Sequence, residues 1–235
     1  MSFVLLLLIK KKSSLVIVTT HYNEDLEWLK KSKYPVVLCD KPGAKSSSFI
    51  PDKKCTIDVN KGQEASSYLK YIIENYDNLP ERIAFIHGHE ESYHQKYPKH
   101  ILEAIDDART DLDFVSISNW IHQLTPESQE TKDIDKHWET VLKPIFKTEK
   151  PESIRFDGHA QFIVSKKAIL RHTKEEYEKL YTFIIESPDF VESIRRASVL
   201  EDLWQSLFSD IKNYDVCSDM KECSDEEYRK SHFNI

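Results

Sequence analysis

The sequence predicts an α/β fold: a single domain with a mostly parallel central sheet and helices on both faces. Three observations carry that expectation. Short apolar, β-branched runs alternate with helical stripes. Each run ends in a cluster of polar and titratable residues, and ligands of parallel sheets bind beyond the carboxyl ends of the strands. At 235 residues the chain is long enough to bury one sizeable core.

Taken in order, Leu15-Val16-Ile17-Val18-Thr19 is a strand buried on both faces, ending at Thr20-His21-Tyr22-Asn23-Glu24-Asp25. Asn23 or a neighbour caps a short helix through Leu26, Trp28 and Leu29. Tyr34-Pro35-Val36-Val37-Leu38-Cys39 is the second strand and stops at Asp40. Residues 41–54 are a loop, followed by a short strand over 55–59 and the polar turn Asn60-Lys61-Gly62-Gln63-Glu64. Ala65, Tyr68, Leu69, Ile72, Ile73 and Tyr76 form one helical stripe, which Asp77-Asn78-Leu79-Pro80 ends. The third strand, Ile83-Ala84-Phe85-Ile86, runs straight into His87-Gly88-His89-Glu90-Glu91-Ser92-Tyr93-His94.

A helix over 101–108 leads to the strand Phe114-Val115-Ser116-Ile117-Ser118, which ends near Asn119-Trp120. Residues 122–153 read as a long polar excursion over the active face, with a helix near 138–142. A turn and a strand occupy 156–165, and Lys166 opens a helical half. Tyr177, Leu180, Tyr181, Ile184 and Ile185 form one stripe there. Ser187-Pro188 caps a second helix, and Leu200, Leu203, Trp204, Leu207, Phe208 and Ile211 form a third stripe. The domain covers 1–215, and 216–235 is a peripheral acidic tail.

Apolar residues make up 40 %, charged residues 31 % and aromatics 11 %, too aromatic for a disordered chain and too polar for a membrane protein. The net charge is −7 and no basic stripe stands out, so nucleic acid is a poor partner. The apolar run at residues 3–9 is far short of the roughly 20 residues of a membrane span, and its charges follow it rather than precede it as in a signal peptide. It reads as a buried strand or a flexible start. Four cysteines without a CxxC pair argue against a disulfide framework and a cysteine-rich zinc site, and for a reducing, cytoplasmic compartment.

There is no GxGxxG, no GxxxxGK[ST] and no GxSxG, so P-loop, dinucleotide and serine-hydrolase readings lose their support. Cys39 is a small core residue before it is a nucleophile. His87 and His89 flank Gly88, and residues i and i+2 of an extended chain project to one side. Both imidazoles can therefore face a metal, with Glu90, His94 or His159 as third ligand; they can equally bond neighbouring loop groups or contact substrate phosphates. Carboxylates available for acid/base work are Asp25, Asp40, Glu64, Glu90, Glu91, Asp157, Glu201 and Asp202. Asp157 stands out by its turn Asp157-Gly158-His159, and Glu201 by opening the stripe around Trp204. Asp40 can accept hydrogen bonds from a ribose or base, or close an Asx turn into Lys41-Pro42-Gly43. The rings of Tyr22, Trp28, Tyr93, Trp120 and Trp138 suit sugar stacking or a core.

The ordered set His-Tyr-Asn-Glu-Asp-Leu-Glu-Trp-Leu (21–29), Gly-Gln-Glu-Ala-Ser-Ser-Tyr-Leu with Asn-Tyr-Asp-Asn-Leu-Pro (62–80), Phe-Ile-His-Gly-His-Glu-Glu-Ser-Tyr-His (85–94), Ala-Gln-Phe-Ile-Val-Ser-Lys (160–166) and Glu-Asp-Leu-Trp-Gln-Ser-Leu-Phe (201–208) resembles the DUF3431 family of fungal and large-DNA-virus proteins. The resemblance covers about residues 15–210. The layout is similar, more distantly, to nucleotide-sugar glycosyltransferases of the GT-A type. There a first strand ends in a Tyr-Asn-Glu-like turn, a second in an acidic residue that holds the nucleoside, and a later one in an Asp-x-Asp motif that places a divalent metal on the donor diphosphate. This implies a GT-A-like fold and sugar transfer from a UDP- or GDP-linked donor to a glycan or other hydroxyl acceptor. Thr20, His21, Asn23, Asp40, Glu64, His87 and His89 would bind the donor, and Asp157 or Glu201 would act as base. His87-Gly88-His89 replaces Asp-x-Asp, so a cation (Mn, Mg or Zn) on His87 and His89 meets imidazole in place of the carboxylates that hard cations prefer. A histidine-ligated metal hydrolase and a non-catalytic carbohydrate- or nucleotide-binding module are the alternative functions.

Overall fold

The computed structural model describes residues 14–92, 100–118, 121–151, 154–209 and 230–234, without the side chains of Ile121, Arg155 and Asp157. The expectations for residues 3–9, Tyr93, His94, Asn119, Trp120 and Ile211 lie outside this set.

Strands β1 (Leu15–His21), β2 (Val36–Asp40) and β3 (Lys53–Thr56) come first, with a 3-10 turn at Glu27–Lys31 between β1 and β2. Helix α1 (Gln63–Asn75), β4 (Arg82–Ile86), α2 (Ile101–Asp107), β5 (Phe114–Ser116) and β6 (Ile121–Gln123) follow. Next are α3 (Gln129–His137), a π-helical turn Trp138–Leu142, α4 (Lys143–Phe146), β7 (Arg155–Asp157) and β8 (Phe162–Ser165). Helices α5 (Lys166–Ile169), α6 (Lys174–Ile185), α7 (Phe190–Glu201) and α8 (Trp204–Phe208) close the domain.

The main sheet runs β3-β2-β1-β4-β8-β5, and β6-β7 form a separate ribbon. β1 pairs in parallel with β2 and β4, and β2 with β3; β8 is antiparallel to both β4 and β5. The expected mostly parallel α/β domain is therefore present, with an antiparallel strand inserted. Alternation along the strands builds two apolar layers. Val18, Ile83, Phe85, Phe162 and Val164 pack against α1, α6, α7 and α8. Ile17, Ala84, Ile86, Val115 and Ile163 meet Leu26, Trp28, Leu29 and α2 on the other face. Among the described residues no helix is long and apolar enough to cross a membrane.

Several local expectations change. The polar excursion after β6 is largely helical: Ser128 caps α3 by accepting the Thr131 N–H, and Ile134, Trp138, Leu142 and Ile145 are buried at helical spacing. β3 starts at Lys53, two residues before the expected strand. The stripe at 200–208 is broken, because α7 ends at Glu201 and Asp202 turns inward before α8 restarts at Trp204. Asn23 does not cap the first turn; the neighbouring Asp25 carboxylate accepts the Glu27 N–H at 3.0 Å. The end of the tail is docked, with Phe233 buried, a bridge from it to Ala108, and the Asn234 N–H on the Asp107 carbonyl.

The cysteine reasoning is also corrected. Parallel register sets Cys39 opposite Cys55 with Cα atoms 4.7 Å apart, and the two form a disulfide that staples edge strand β3 to β2. Sequence spacing hides this, since the two residues meet only through the β2-β3 ladder, and the argument for a reducing compartment loses its basis.

Gly62 enters α1 at φ +68°, and a Cβ there would stand 2.1 Å from Ile184 Cγ2. Gly62→Ala is expected to cost about 2–4 kcal/mol, from overpacking plus a left-handed backbone, read as a lower urea midpoint.

Candidate active site at the strand ends

Because β1, β2 and β4 are parallel, the residues after them share one edge of the sheet. β8 runs the other way and pairs Phe162 with Phe85, so the segment preceding it, His159-Ala160-Gln161, reaches the same edge. The Gln161 side-chain carbonyl accepts the His87 N–H at 3.1 Å and ties the two segments together.

His21 is buried and shares a hydrogen bond with Asp40 through Nδ1 at 2.9 Å, while Lys54 reaches the other Asp40 oxygen at 2.9 Å. Asp40 is thus half of an ion-paired chain and not an Asx turn. Burial alone would raise its carboxyl, but the Lys54 and His21 hydrogen bonds hold it below the usual range. Asp40 also borders a cleft of 410 Å³ with Lys45, Ser46, Ser47 and Lys54. In the turn after β1, Glu24 accepts the Tyr22 and Asn23 N–H groups, which leaves Asn23 exposed. Thr20 projects to the α1 side of the sheet, opposite to His21, and its buried hydroxyl has no hydrogen-bond partner.

The most perturbed groups lie on that α1 side. Burial, with the Glu64 charge nearby, pushes the Glu201 carboxyl up to about 7. It accepts the His159 backbone N–H and stands 3.7 Å from His159 Nδ1. Glu64, in the first turn of α1, is raised by burial against the opposing pull of its own N–H and Lys41. Lys41 is 4 % exposed, donates to the Lys61 carbonyl and Ser66 Oγ, and is drawn down to about 8 by burial despite Glu64. Tyr68 is fully buried beside both carboxyls, and its hydroxyl has no hydrogen-bond partner.

His159 and Ala160 both take positive φ, 71° and 45°, a costly conformation for residues with a Cβ. The strain presents His159 between Glu201 and His122, whose Nε2 is 3.4 Å from His159 Nε2. Burial, then the His122 and His87 rings, hold His159 down at about 4. His87 is also at about 4, from burial and then His89, with Glu24 opposing. Gly88 is needed because a Cβ would stand 2.9 Å from the Glu24 side chain where the turns after β1 and β4 pack together.

Several expected site residues therefore converge: Glu64, His87 and Glu201, with His21 and Asp40 as a pair beside them. His87 and His89 do not share one environment. His87 is half-buried beside His159 and Glu24, whereas His89 is exposed in a 540 Å³ cleft with Asp25, Trp28, Lys31, Glu90 and Glu91. The backbone turns at Gly88, which breaks the i, i+2 alternation. The two rings do not offer paired ligands to a hard cation on a diphosphate, and among the described residues no group of three His, Cys, Asp or Glu is placed to hold a metal. Asp157 ends β7, paired with Ile121, and its side chain lies outside the described set. Trp28 and Trp138 are buried core rings; the Trp28 indole donates to the Gly88 carbonyl, while Tyr22 stays 38 % exposed. Sequence reasoning missed Lys41, Tyr68, His122 and Gln161. Lys41 and Gln161 adjoin strand ends and were findable; Tyr68 was absorbed into the apolar stripe.

Asp202 is 7 % exposed, and burial, with the charges of Glu201, Glu130 and Asp133, pushes its carboxyl up to about 8. The folded state therefore holds this proton more tightly than the unfolded chain, so stability falls as pH rises from about 4 to about 8. Asp202→Asn is expected to flatten that fall, measured by denaturant unfolding at pH 5 and pH 8.

A sequence model of the family described as "Protein of unknown function (DUF3431)" matches residues 15–226, most of the chain. No curated protein matches it. The match begins at the first residue of β1 and takes in every strand of both sheets, and on that extent the chain belongs to the DUF3431 family.

Proposed function

We propose that this protein is a glycosyltransferase that moves a sugar from a UDP- or GDP-linked donor to a hydroxyl of a glycan or related acceptor. The observation that carries the reading is the buried Glu201 carboxyl, set against His159 on the edge where β1, β2 and β4 end. Further support is the order of those ends: a Tyr22-Asn23-Glu24 turn after β1, acidic Asp40 closing β2, and His87-Gly88-His89 after β4.

In this reading Asp40, with His21 bonded to it, binds the nucleoside in the 410 Å³ cleft that Asp40 borders. The exposed His89 ring donates to the diphosphate, whose negative charge grows as it leaves, and His87 stands half-buried against His159. The acceptor oxygen bonds to the anomeric carbon, the bond from that carbon to the diphosphate oxygen breaks, and the acceptor proton passes to Glu201 or Asp157. Glu64 supplies a polar contact to the sugar. No step is routed through a metal.

A panel of nucleotide sugars is tested first by thermal shift, since a ligand of the native state raises its melting temperature by mass action. One UDP- or GDP-sugar should raise it, and Glu201→Gln should then lower kcat by about 10²–10⁴-fold while the shift persists. A panel without any shift or turnover overturns the reading.

A further inference from the structure

Two imidazoles outside the expected donor set meet tip to tip. His122 comes from β6 and His159 from the strained turn after β7, and their Nε2 atoms are 3.4 Å apart with ring planes at 70°. That is long for a hydrogen bond between ring nitrogens, which runs about 2.7–3.2 Å. It matches the edge of a tetrahedron: two nitrogens bound to one zinc at roughly 2.0–2.1 Å stand about 3.3 Å apart.

The surroundings hold both rings in that pose. His122 stacks on Phe156 with centroids 5.3 Å apart and planes at 11°, and β6-β7 pairing sets the two opposite each other. Gly158 lets the backbone pass close by, since a Cβ there would stand 2.7 Å from His122 Cδ2. Behind His159, Nδ1 faces Glu201 Oε1 at 3.7 Å. That is beyond hydrogen-bond reach of the ring; Glu201 instead fixes the His159 backbone by accepting its N–H.

We propose that His122 and His159 form a binding site for one divalent transition-metal ion of the zinc class. Imidazole suits zinc, copper and nickel, whereas Mn and Mg, two of the three cations expected at His87 and His89, prefer oxygen. The remaining coordination positions fall to water or to oxygens of a bound ligand. Such an ion would clip the β6-β7 ribbon to the end of α7 through Glu201, and the site stands whether or not sugar transfer does.

Calorimetric titration of the full chain with Zn²⁺ should show one equivalent bound, weakened at least tenfold by His122→Gln or His159→Gln and unchanged by His100→Gln. X-ray absorption of the wild-type zinc complex, which needs no variant to fold, should show two imidazole ligands. Absence of stoichiometric binding, binding that neither variant weakens, or fewer than two imidazoles would overturn the site.

Discussion

The parallel, in-register pairing of β1 with β2 on one side and β4 on the other is the constraint from which the rest of the site follows. Thr20 sits opposite Cys39, His21 opposite Asp40, and Thr19 opposite Ile86, so three chain segments distant in sequence end within one row. The chain leaves β1 toward β2 and β3 and later returns to its other side as β4, which makes the β1-β4 boundary the point where strand order reverses. Gly88 accepts the close approach of Glu24 at that boundary, and the Trp28 indole bonds the Gly88 carbonyl from beneath.

A dense aromatic layer underlies the edge. Tyr68 lies 4.6 Å from Phe85, Phe162 5.5 Å from Phe85, and Trp204 5.7 Å from Phe162, measured between ring centroids. Such contacts are worth about 0.5–1.5 kcal/mol each beyond the area they bury. They form a rigid, water-poor floor, and that floor is what perturbs the carboxyls above it. Glu201 and Asp202 follow one another at the end of α7, both raised by burial, while Lys41 is lowered by the same cause. Left-handed backbone at His159 and Ala160 persists because the Glu201 and Gln161 side chains hold both flanks.

The β6-β7 ribbon adds a second layer of control over this edge. It carries His122 to His159, and through His159 it reaches the buried Glu201 carboxyl. At the β3-β2 edge of the sheet the Cys39–Cys55 disulfide holds Lys54 where it can pair with Asp40 and thus with His21. The two flanks of the site are fastened by different chemistry, covalent on one and imidazole on the other.

The sequence by itself determined the α/β class, four of the six strands of the main sheet to within a residue or two, and the striped helices α1 and α6, because periodicity of apolar residues is a local signal. It also located His21, Asp40, Glu64, His87 and Glu201, since each stands at the end of such an element. It did not separate His87 from His89, because alternation holds only while the chain stays extended and the backbone turns at Gly88, and it did not show that α7 ends at Glu201 before α8 restarts. It hid the Cys39–Cys55 bridge, the Lys41 to Glu64 coupling and the His122–His159 contact. Those depend on strand register, on burial, and on approaches between residues 16 to 37 positions apart, which only the packed tertiary structure decides.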